Sequence, residues 1–183
     1  MSRIVLAFIS VFLFFSCGND PVPKPKGLLR LEYKSPEYTA LSTQCPYVFY
    51  KNNAAEASIK PDCSMNLDYS QMNARIFITY KPINNNLDKL LRDAQKLTYE
   101  HVAKADNIQE QPFVNTDNKV YGMFYLVAGN AASASQFYVT DSTSHFLTGS
   151  LYFNVKPNYD SVLPAAKYLE EDIRKIMETI RWK

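Results

Sequence analysis

Residues 119–128 constrain the fold of this chain more than any other segment, because both faces of the β-strand they would form are apolar. One face would carry Val120, Phe124 and Leu126. The other face would carry Tyr121, Met123, Tyr125 and Val127. A strand that is apolar on both faces is buried from both sides. We therefore predict a central strand in a sheet that is covered on both faces.

Five further segments have the alternating or β-branched pattern of strands. They are residues 28–33, 46–50, 74–81, 136–140 and 146–155. Residues 51–61 are polar with small side chains, which predicts a loop. The short connections after residue 119 favour antiparallel pairing of the last three strands.

Two segments change to the helical period, with apolar residues three and four positions apart. The first covers residues 87–105, and Asn86 before it is a suitable N-cap. The second covers residues 162–180, and Ser161 can cap it. Its apolar stripe consists of Ala165, Ala166, Leu169, Ile173, Ile176, Met177 and Ile180.

Together these elements predict an α+β fold, in which a mostly antiparallel sheet of about six strands has helices packed on both faces. The order of hairpin, strand, helix, three-stranded meander and helix resembles the Mog1/PsbP-like architecture. A resemblance at the level of the fold implies no particular function.

The N-terminus resembles the signal of a bacterial lipoprotein. Arg3 precedes an apolar run over residues 4–15, which is too short to cross a bilayer. Cys17 ends this run between a small residue and Gly18, as in a lipobox, although Phe14 is bulkier than the usual Leu. The resemblance implies lipidation of Cys17. The alternative is an ordinary secretory signal in which this cysteine has no role.

Cleavage before Cys17 would divide the chain into three parts. Residues 1–16 would be the signal peptide. Residues 17–27 contain three prolines at alternate positions, which predicts an extended tether. Residues 28–183 would then form a single domain.

The other two cysteines, Cys45 and Cys63, are about 18 residues apart, and an exported protein meets an oxidising compartment. A disulfide between them would stabilise the fold by roughly 3 kcal/mol. The alternatives are two free thiols or a metal site. We expect no metal site, because His101 and His145 are not in ligand-spaced pairs. A net charge of +2 does not indicate a nucleic-acid partner.

Two histidines are candidates for catalysis. His101 falls on the apolar face of the first predicted helix, which is typical of a buried imidazole held by hydrogen bonds. His145 ends the segment 140–145, which also contains Asp141 and Ser142. Catalytic triads converge from different elements, so six successive residues between two strands are better interpreted as a polar turn.

Small residues fill the segment 129–135, where a ligand or a protein can approach the backbone. The segment has neither the lysine nor the following helix of a phosphate-binding loop. We predict a hairpin loop that contacts a partner. Meander topology places this loop and residues 156–158 at one end of the sheet and residues 140–145 at the other.

The sequence as a whole resembles the gliding motility lipoprotein GldD family of Bacteroidetes. Two continuous blocks carry much of the resemblance, Tyr80-Lys81-Pro82-Ile83-Asn84-Asn85-Asn86-Leu87 and Lys119-Val120-Tyr121-Gly122-Met123. Further matching segments are residues 129–133, 136–138, 140–143, 145–147 and 149–153. The positions of Cys17, Cys45 and Cys63 agree with the family as well.

The resemblance implies a non-enzymatic lipoprotein of the cell envelope that is required for gliding and linked to the type IX secretion system. It would be anchored by its lipid in the outer membrane, facing the periplasm, and would need no cofactor. Its expected partners are other gliding motility lipoproteins and proteins of the secretion apparatus. The candidate contact residues are Asn130, Ala131, Ala132, Ser133, Asp141, Ser142 and His145. The alternative is an envelope enzyme or small-ligand-binding protein that uses His101 or His145.

Overall fold

The computed structural model of the protein describes residues 32–100, 104–156 and 158–183. The predicted signal peptide, Cys17, the predicted tether and His101 lie outside the described residues.

A seven-stranded antiparallel sheet and two helices dominate the described part of the chain. The helices are α1 (Leu87–Tyr99) and α2 (Tyr159–Thr179), and a 3-10 turn covers Ser70–Met72. The strands are β1 (Tyr38–Ala40), β2 (Tyr47–Val48), β3 (Tyr50–Asn52), β4 (Glu56–Ile59), β5 (Met65–Tyr69), β6 (Ala74–Pro82), β7 (Ala105–Asn115), β8 (Val120–Gly129), β9 (Ser133–Thr140), β10 (His145–Phe153) and β11 (Arg181–Trp182).

The main sheet has the strand order β4-β5-β6-β10-β9-β8-β7, and all its neighbours are antiparallel. Strands β7 to β10 form the predicted meander with one additional strand. The pairing of β6 with β10 joins this meander to the N-terminal half of the sheet. Two small sheets, β1 with β3 and β2 with β11, complete the topology. The α+β class and the mostly antiparallel sheet agree with the prediction.

The core lies between α2 and one face of the sheet. Every residue of the predicted apolar stripe is buried, as the helical spacing indicates, although Ile180 follows the last residue of α2. Phe137 on β9 packs in the same core, and its ring lies over Gly149 on β10. A Cβ atom on Gly149 would lie 2.0 Å from the Phe137 ring, so only glycine fits at this position.

A buried carboxylate ties α2 to the N-terminal strands. Asp172 on α2 is 1% exposed, and its Oδ1 accepts a hydrogen bond from the hydroxyl of Tyr38 at 2.6 Å. The Asn52 side chain donates to Asp172 Oδ2 at 2.9 Å and to the Tyr168 hydroxyl at 3.0 Å. Burial raises the pKa of Asp172, although these hydrogen bonds act in the opposite direction.

The predicted disulfide between Cys45 and Cys63 is present, with 5.5 Å between the two Cα atoms. Cys45 is buried, and the Tyr47 hydroxyl donates to the carbonyl of Cys63. The disulfide therefore belongs to the core and holds the β4–β5 hairpin next to β2.

Several boundaries differ from the sequence prediction. Helix α2 begins at Tyr159 instead of residue 162, so Ser161 lies inside the helix and Asn158 is the N-cap residue. The predicted strand 46–50 is divided between β2 and β3.

The predicted strand 28–33 is wrong where the structure describes it, because Glu32 and Tyr33 lie in no strand. The predicted loop 51–61 contains β4, and the first predicted helix ends at Tyr99 instead of residue 105. Asn86 does precede α1, but its side chain accepts the backbone N–H of Asn84 at 2.8 Å instead of capping the helix.

In the main sheet the prediction missed β5 and β7 in addition to β4. Strand β7 is at the edge of the sheet, where one side of the strand and most of its side chains face solvent, so its sequence is polar. Pro112 lies within it, which an edge strand tolerates. Four of the seven strands in the main sheet, β6, β8, β9 and β10, were predicted, and the predicted strand 46–50 lies outside this sheet. Helices on both faces and a Mog1/PsbP-like architecture stay predictions.

Candidate functional site

The predicted partner loop is a tight hairpin between β8 and β9. Gly129 ends β8 with φ +106°, a backbone conformation that favours glycine, and a Cβ there would lie 2.6 Å from the backbone nitrogen of Asp106. Asn130 and Ala132 are exposed, and Ala131 is half-buried. The side-chain Oδ1 of Asn130 accepts the backbone N–H of Tyr159 at 2.9 Å, which links the hairpin to the start of α2. The hairpin is therefore held rigidly at its base.

Ser133 is not part of this loop. It begins β9, is fully buried, and donates its hydroxyl to the carbonyl of Leu151 at 3.0 Å. Ser135 is also buried within β9. The prediction of a loop that extends to residue 135 is wrong. The small side chains of Ser133 and Ser135 are buried in β9, where they pack closely against neighbouring residues. We define the surface hairpin as Asn130, Ala131 and Ala132.

A small cavity of about 180 Å³ lies beneath the surface hairpin. Ala131, Ala132 and Ala134 form one wall, and the N-terminal half of α2 forms another. Glu170 of α2 lines the cavity, and burial raises the pKa of its carboxyl group. The small side chains of the predicted loop thus leave space between the hairpin and the helix.

The polar turn at the other end of β9 is organised by Asp141. Its Oδ1 accepts the backbone N–H groups of Thr143, Ser144 and His145 at 3.0, 2.8 and 2.8 Å. Partial burial tends to raise the pKa of Asp141, but these hydrogen bonds outweigh it and hold the pKa below 3.8. Ser142 has φ +67° and donates its backbone N–H to the Thr140 hydroxyl at 2.9 Å. The carboxylate therefore stabilises a turn.

The ring of His145 belongs to an aromatic cluster instead of a catalytic pair. Its Nδ1 lies 3.0 Å from the hydroxyl of Tyr80, and its ring stacks on Trp182 with 5.2 Å between centroids. The indole N–H of Trp182 donates to the carbonyl of Lys119 at 3.1 Å. Asp141 binds the backbone of His145 and not its imidazole. The segment 140–145 is thus a polar turn, as the sequence indicated.

The structure keeps the two groups of predicted site residues apart. Strand β9 runs from Ser133 to Thr140 between them, which is about 24 Å at the usual rise per residue. The surface hairpin and the polar turn therefore cannot form one active site. His101, the remaining candidate, is outside the described residues.

A further cleft on the sheet, which we call the α1 cleft, was not predicted from the sequence. It has a volume of about 860 Å³ and lies between α1 and the outer face of β5, β6 and β10. Phe77, Leu97 and Tyr152 are among its apolar walls. The only available signal was Phe77, which alternates with the core residues of β6 and therefore points away from the core.

Two further findings concern metal-ligating groups and membrane-spanning helices. No group of three metal-ligating side chains occurs within residues 32–100, 104–156 and 158–183. None of the helices in these ranges is both long and apolar enough to span a membrane.

The comparisons with known proteins agree with a lipoprotein of the gliding machinery. A family model described as "Gliding motility lipoprotein GldD" matches residues 18–182, nearly the whole chain. The chain belongs to this family. A search of curated proteins found no match.

Proposed function

We propose that this protein is a lipid-anchored, non-enzymatic component of the gliding motility apparatus, linked to type IX secretion, and that it assembles or stabilises other components through protein contacts. The family match over residues 18–182 carries this proposal. The partners would be other gliding motility lipoproteins and proteins of the secretion apparatus.

The non-enzymatic role is supported by how the polar turn uses its side chains. An Asp-His pair in catalysis needs the carboxylate on the imidazole, where it orients the ring and stabilises its charge. Here Asp141 accepts three backbone N–H groups, and Tyr80 takes the place next to the His145 ring. This arrangement favours a fixed surface over a reactive one.

The proposed location in the cell envelope rests on the N-terminal sequence. Cleavage after residue 16 and acylation of Cys17 would anchor the domain, and two or more acyl chains give stable attachment. Residues 17–27 would then hold the domain away from the lipid surface. The proposed site is the outer membrane, with the domain facing the periplasm.

We further infer that the two helices cover opposite faces of the sheet. Gln136 and Phe137 are neighbours on β9, so their side chains point to opposite faces. The hydroxyl of Thr98 on α1 donates to Gln136 Oε1 at 3.1 Å, whereas α2 shares its core with Phe137. A sheet with a helix on each face leaves its end loops exposed, and loops on a rigid scaffold commonly carry recognition.

The surface hairpin is the first candidate for the partner contact, and the polar turn is the second. Asn130 holds the hairpin to α2, while the exposed Ala132 leaves its backbone accessible. A flat surface of small side chains lets a partner approach closely. In the polar turn, Asp141, Ser142 and His145 would serve as rim contacts.

The contact proposal can be tested with one bulky residue at each of two hairpins. We expect Ala132→Trp to abolish colony spreading and export of secretion cargo, because the indole would cover the surface hairpin. The matched control is Asp117→Trp, in the exposed turn at the other end of β8, which should retain both activities. Circular dichroism checks folding of both variants. Normal spreading by a folded Ala132→Trp protein would reject the surface hairpin as the contact.

A third variant tests the role of His145. His145→Ala should reduce spreading only mildly, since its ring packs in an aromatic cluster. Complete loss of spreading with a stable, well-expressed His145→Ala protein would support the enzyme or ligand-binding alternative instead.

A further inference from the structure

We propose that the α1 cleft binds a neutral saccharide chain. The cleft volume of about 860 Å³ falls within the range of roughly 300–1,000 Å³ that small-molecule sites occupy. The site is separate from the surface hairpin and from the polar turn, and it goes beyond the contact role proposed above. Its lining chemistry carries the inference.

The cleft exists because α1 leaves part of the outer face of the sheet uncovered. On β6, Ile76 and Ile78 are buried in the core, whereas the alternate residues Arg75, Phe77 and Thr79 are exposed. Phe77 is 37% exposed and Leu97 on the facing side of α1 is 38% exposed. Large apolar side chains therefore remain open to solvent inside a concavity.

Two aromatic rings lie next to each other in this concavity. Phe77 and Tyr152 meet edge to face with 5.6 Å between their centroids. The guanidinium group of Arg75 lies over the Phe77 ring, with its carbon 5.4 Å from the ring centroid. A sugar ring presents a face of C–H groups that packs against such rings by dispersion, while its hydroxyl groups point sideways.

Polar groups line the same cleft. Thr79, Thr148 and Ser150 line the cleft with hydroxyl groups, and Asn73 and Asn154 line it with amides. Hydroxyl and amide groups both donate and accept hydrogen bonds, as sugar hydroxyls do.

One buried polar group near the cleft lacks a partner. Gln136 is 3% exposed, and its Nε2 has no hydrogen-bond partner in the described parts of the chain. Gln136 lies directly across from Ser150 in the register of β9 with β10, so the two side chains share one face of the sheet. An unpaired buried donor beside the cleft wall is costly unless water or a ligand satisfies it.

The charges of the cleft favour a neutral occupant. Among the described lining residues, Asp68 and Arg75 are the charged ones, and they form an ion pair through Arg75 Nε. With one cation and one anion paired, the site offers no net charge to a phosphate chain or an acidic glycan.

The strand arrangement disfavours a peptide. A peptide strand adds to a free sheet edge, but β6 is already paired on both sides, with β5 and with β10. A bound helix needs a continuous apolar groove, and hydroxyl and amide groups interrupt this one. The exposed length of β6 from Arg75 to Thr79 is about 13 Å, and β5 to β10 spans about 10 Å, which gives room for a chain of several sugar units.

The test uses the mature lipoprotein, purified from membranes in a detergent without a sugar headgroup. Isothermal titration calorimetry with a hexamer of N-acetylglucosamine and with cellohexaose, a hexose hexamer, distinguishes an amino-sugar glycan such as a cell-wall chain from a neutral hexose polysaccharide. We expect saturable binding of at least one hexamer. Absence of binding of both hexamers at roughly millimolar concentration would overturn the proposal.

Substitutions test whether the saccharide binds in the α1 cleft. Phe77→Ala should weaken binding by about tenfold or more, which corresponds to about 1.4 kcal/mol. Its matched control, Tyr50→Ala, removes an aromatic side chain of similar exposure outside the cleft and should change binding by less than about twofold. Equal affinities of Phe77→Ala and the unchanged protein would refute the assignment to this cleft.

Two further measurements test the proposal even if the Phe77→Ala protein does not fold. Thr79→Val removes one exposed hydroxyl with little change of shape on β6, and it should weaken binding about threefold or more. Backbone amide shifts on titration should be confined to β5, β6, β10 and the end of α1. Shifts confined to the surface hairpin or the polar turn would overturn the proposal, as would tighter binding of a helical peptide or an anionic polysaccharide.

Discussion

At the scale of single residues, the hydrogen bonds of Asp141 show that residues 140–145 form a structural turn. Its Oδ1 accepts three backbone N–H groups, and its Oδ2 accepts the hydroxyl of Thr143 at 2.9 Å. The local sequence contains aspartate, serine and histidine, but the carboxylate is fully used by the turn. The same contacts give the residue a measurable effect on stability.

We expect Asp141→Ala to lower the free energy of unfolding by about 1–3 kcal/mol at pH 7, since three backbone donors lose an ionised acceptor. The pKa of Asp141 is lowered in the folded protein, so its contribution is present above 3.8 and disappears as the pH falls through the folded-state pKa. Urea unfolding at pH 7 and at about pH 2 measures the difference. Asp117→Ala, in an exposed turn, is the control. An equal loss of stability at both pH values would contradict this account.

At the scale of elements, the buried carboxylate of Asp172 fixes α2 against the small sheet of β1 and β3. The apolar stripe decides which face of the helix packs inward, but apolar contacts are not directional. The hydrogen bonds from Tyr38 and Asn52 to Asp172 are directional, and they fix both the rotation of α2 about its axis and its position along that axis. Burial raises the pKa of this carboxyl group, so ionising it costs stability.

Tyr38→Phe should lower the free energy of unfolding at pH 7 by about 1.5–3 kcal/mol, because it removes a donor to a buried carboxylate. The folded-state pKa of Asp172 is raised, so the protonated form is favoured in the fold. The stability that it contributes is complete below 3.8 and is lost as the pH rises through the folded-state pKa.

The loss caused by Tyr38→Phe should therefore be smaller at about pH 3 than at pH 7. Tyr50→Phe, whose side chain is exposed, serves as the control for removal of a tyrosine hydroxyl. Chemical denaturation at the two pH values provides the measurement. A loss that grows toward low pH would show that the hydroxyl does not act through the carboxylate.

At the scale of the whole molecule, the described domain has a closed core on one side and an open cleft on the other. The core joins α2, the disulfide and one face of the sheet. The α1 cleft, the surface hairpin and the polar turn are separate surfaces. A lipid-anchored domain with several separate surfaces is able to contact more than one component of an assembly at a time.

At this scale we predict that a lipid on Cys17 attaches the protein to the membrane. Cys17→Ser should abolish labelling by radioactive fatty acid and move the protein from the membrane fraction to the soluble fraction. Ser16→Ala keeps a small residue before the cysteine and should leave both properties unchanged. Fatty-acid labelling that persists in Cys17→Ser would disprove lipidation at this residue.

The sequence by itself determined the elements whose burial is strong and regular. It located β6, β8, β9, β10 and α2, because a strand or a helix with a buried face must repeat apolar side chains with the period of its backbone. It also paired the two cysteines of the domain. The strands and the helix follow from local sequence patterns, and the cysteine pair follows from the small number of cysteines. Neither inference requires knowing which residues are neighbours in the folded protein.

Only the tertiary structure decided the features that depend on neighbours. Strand β7 is polar because it is an edge, and its identity as a strand comes from pairing with β8. Ser133 resembles a loop residue in sequence, yet it is buried where β9 meets β10. The α1 cleft is lined by residues of β5, β6, β10 and α1, which are far apart in the sequence. No local period records which strand lies at an edge or how far a helix extends over a sheet, since both are set by the packing of the whole chain.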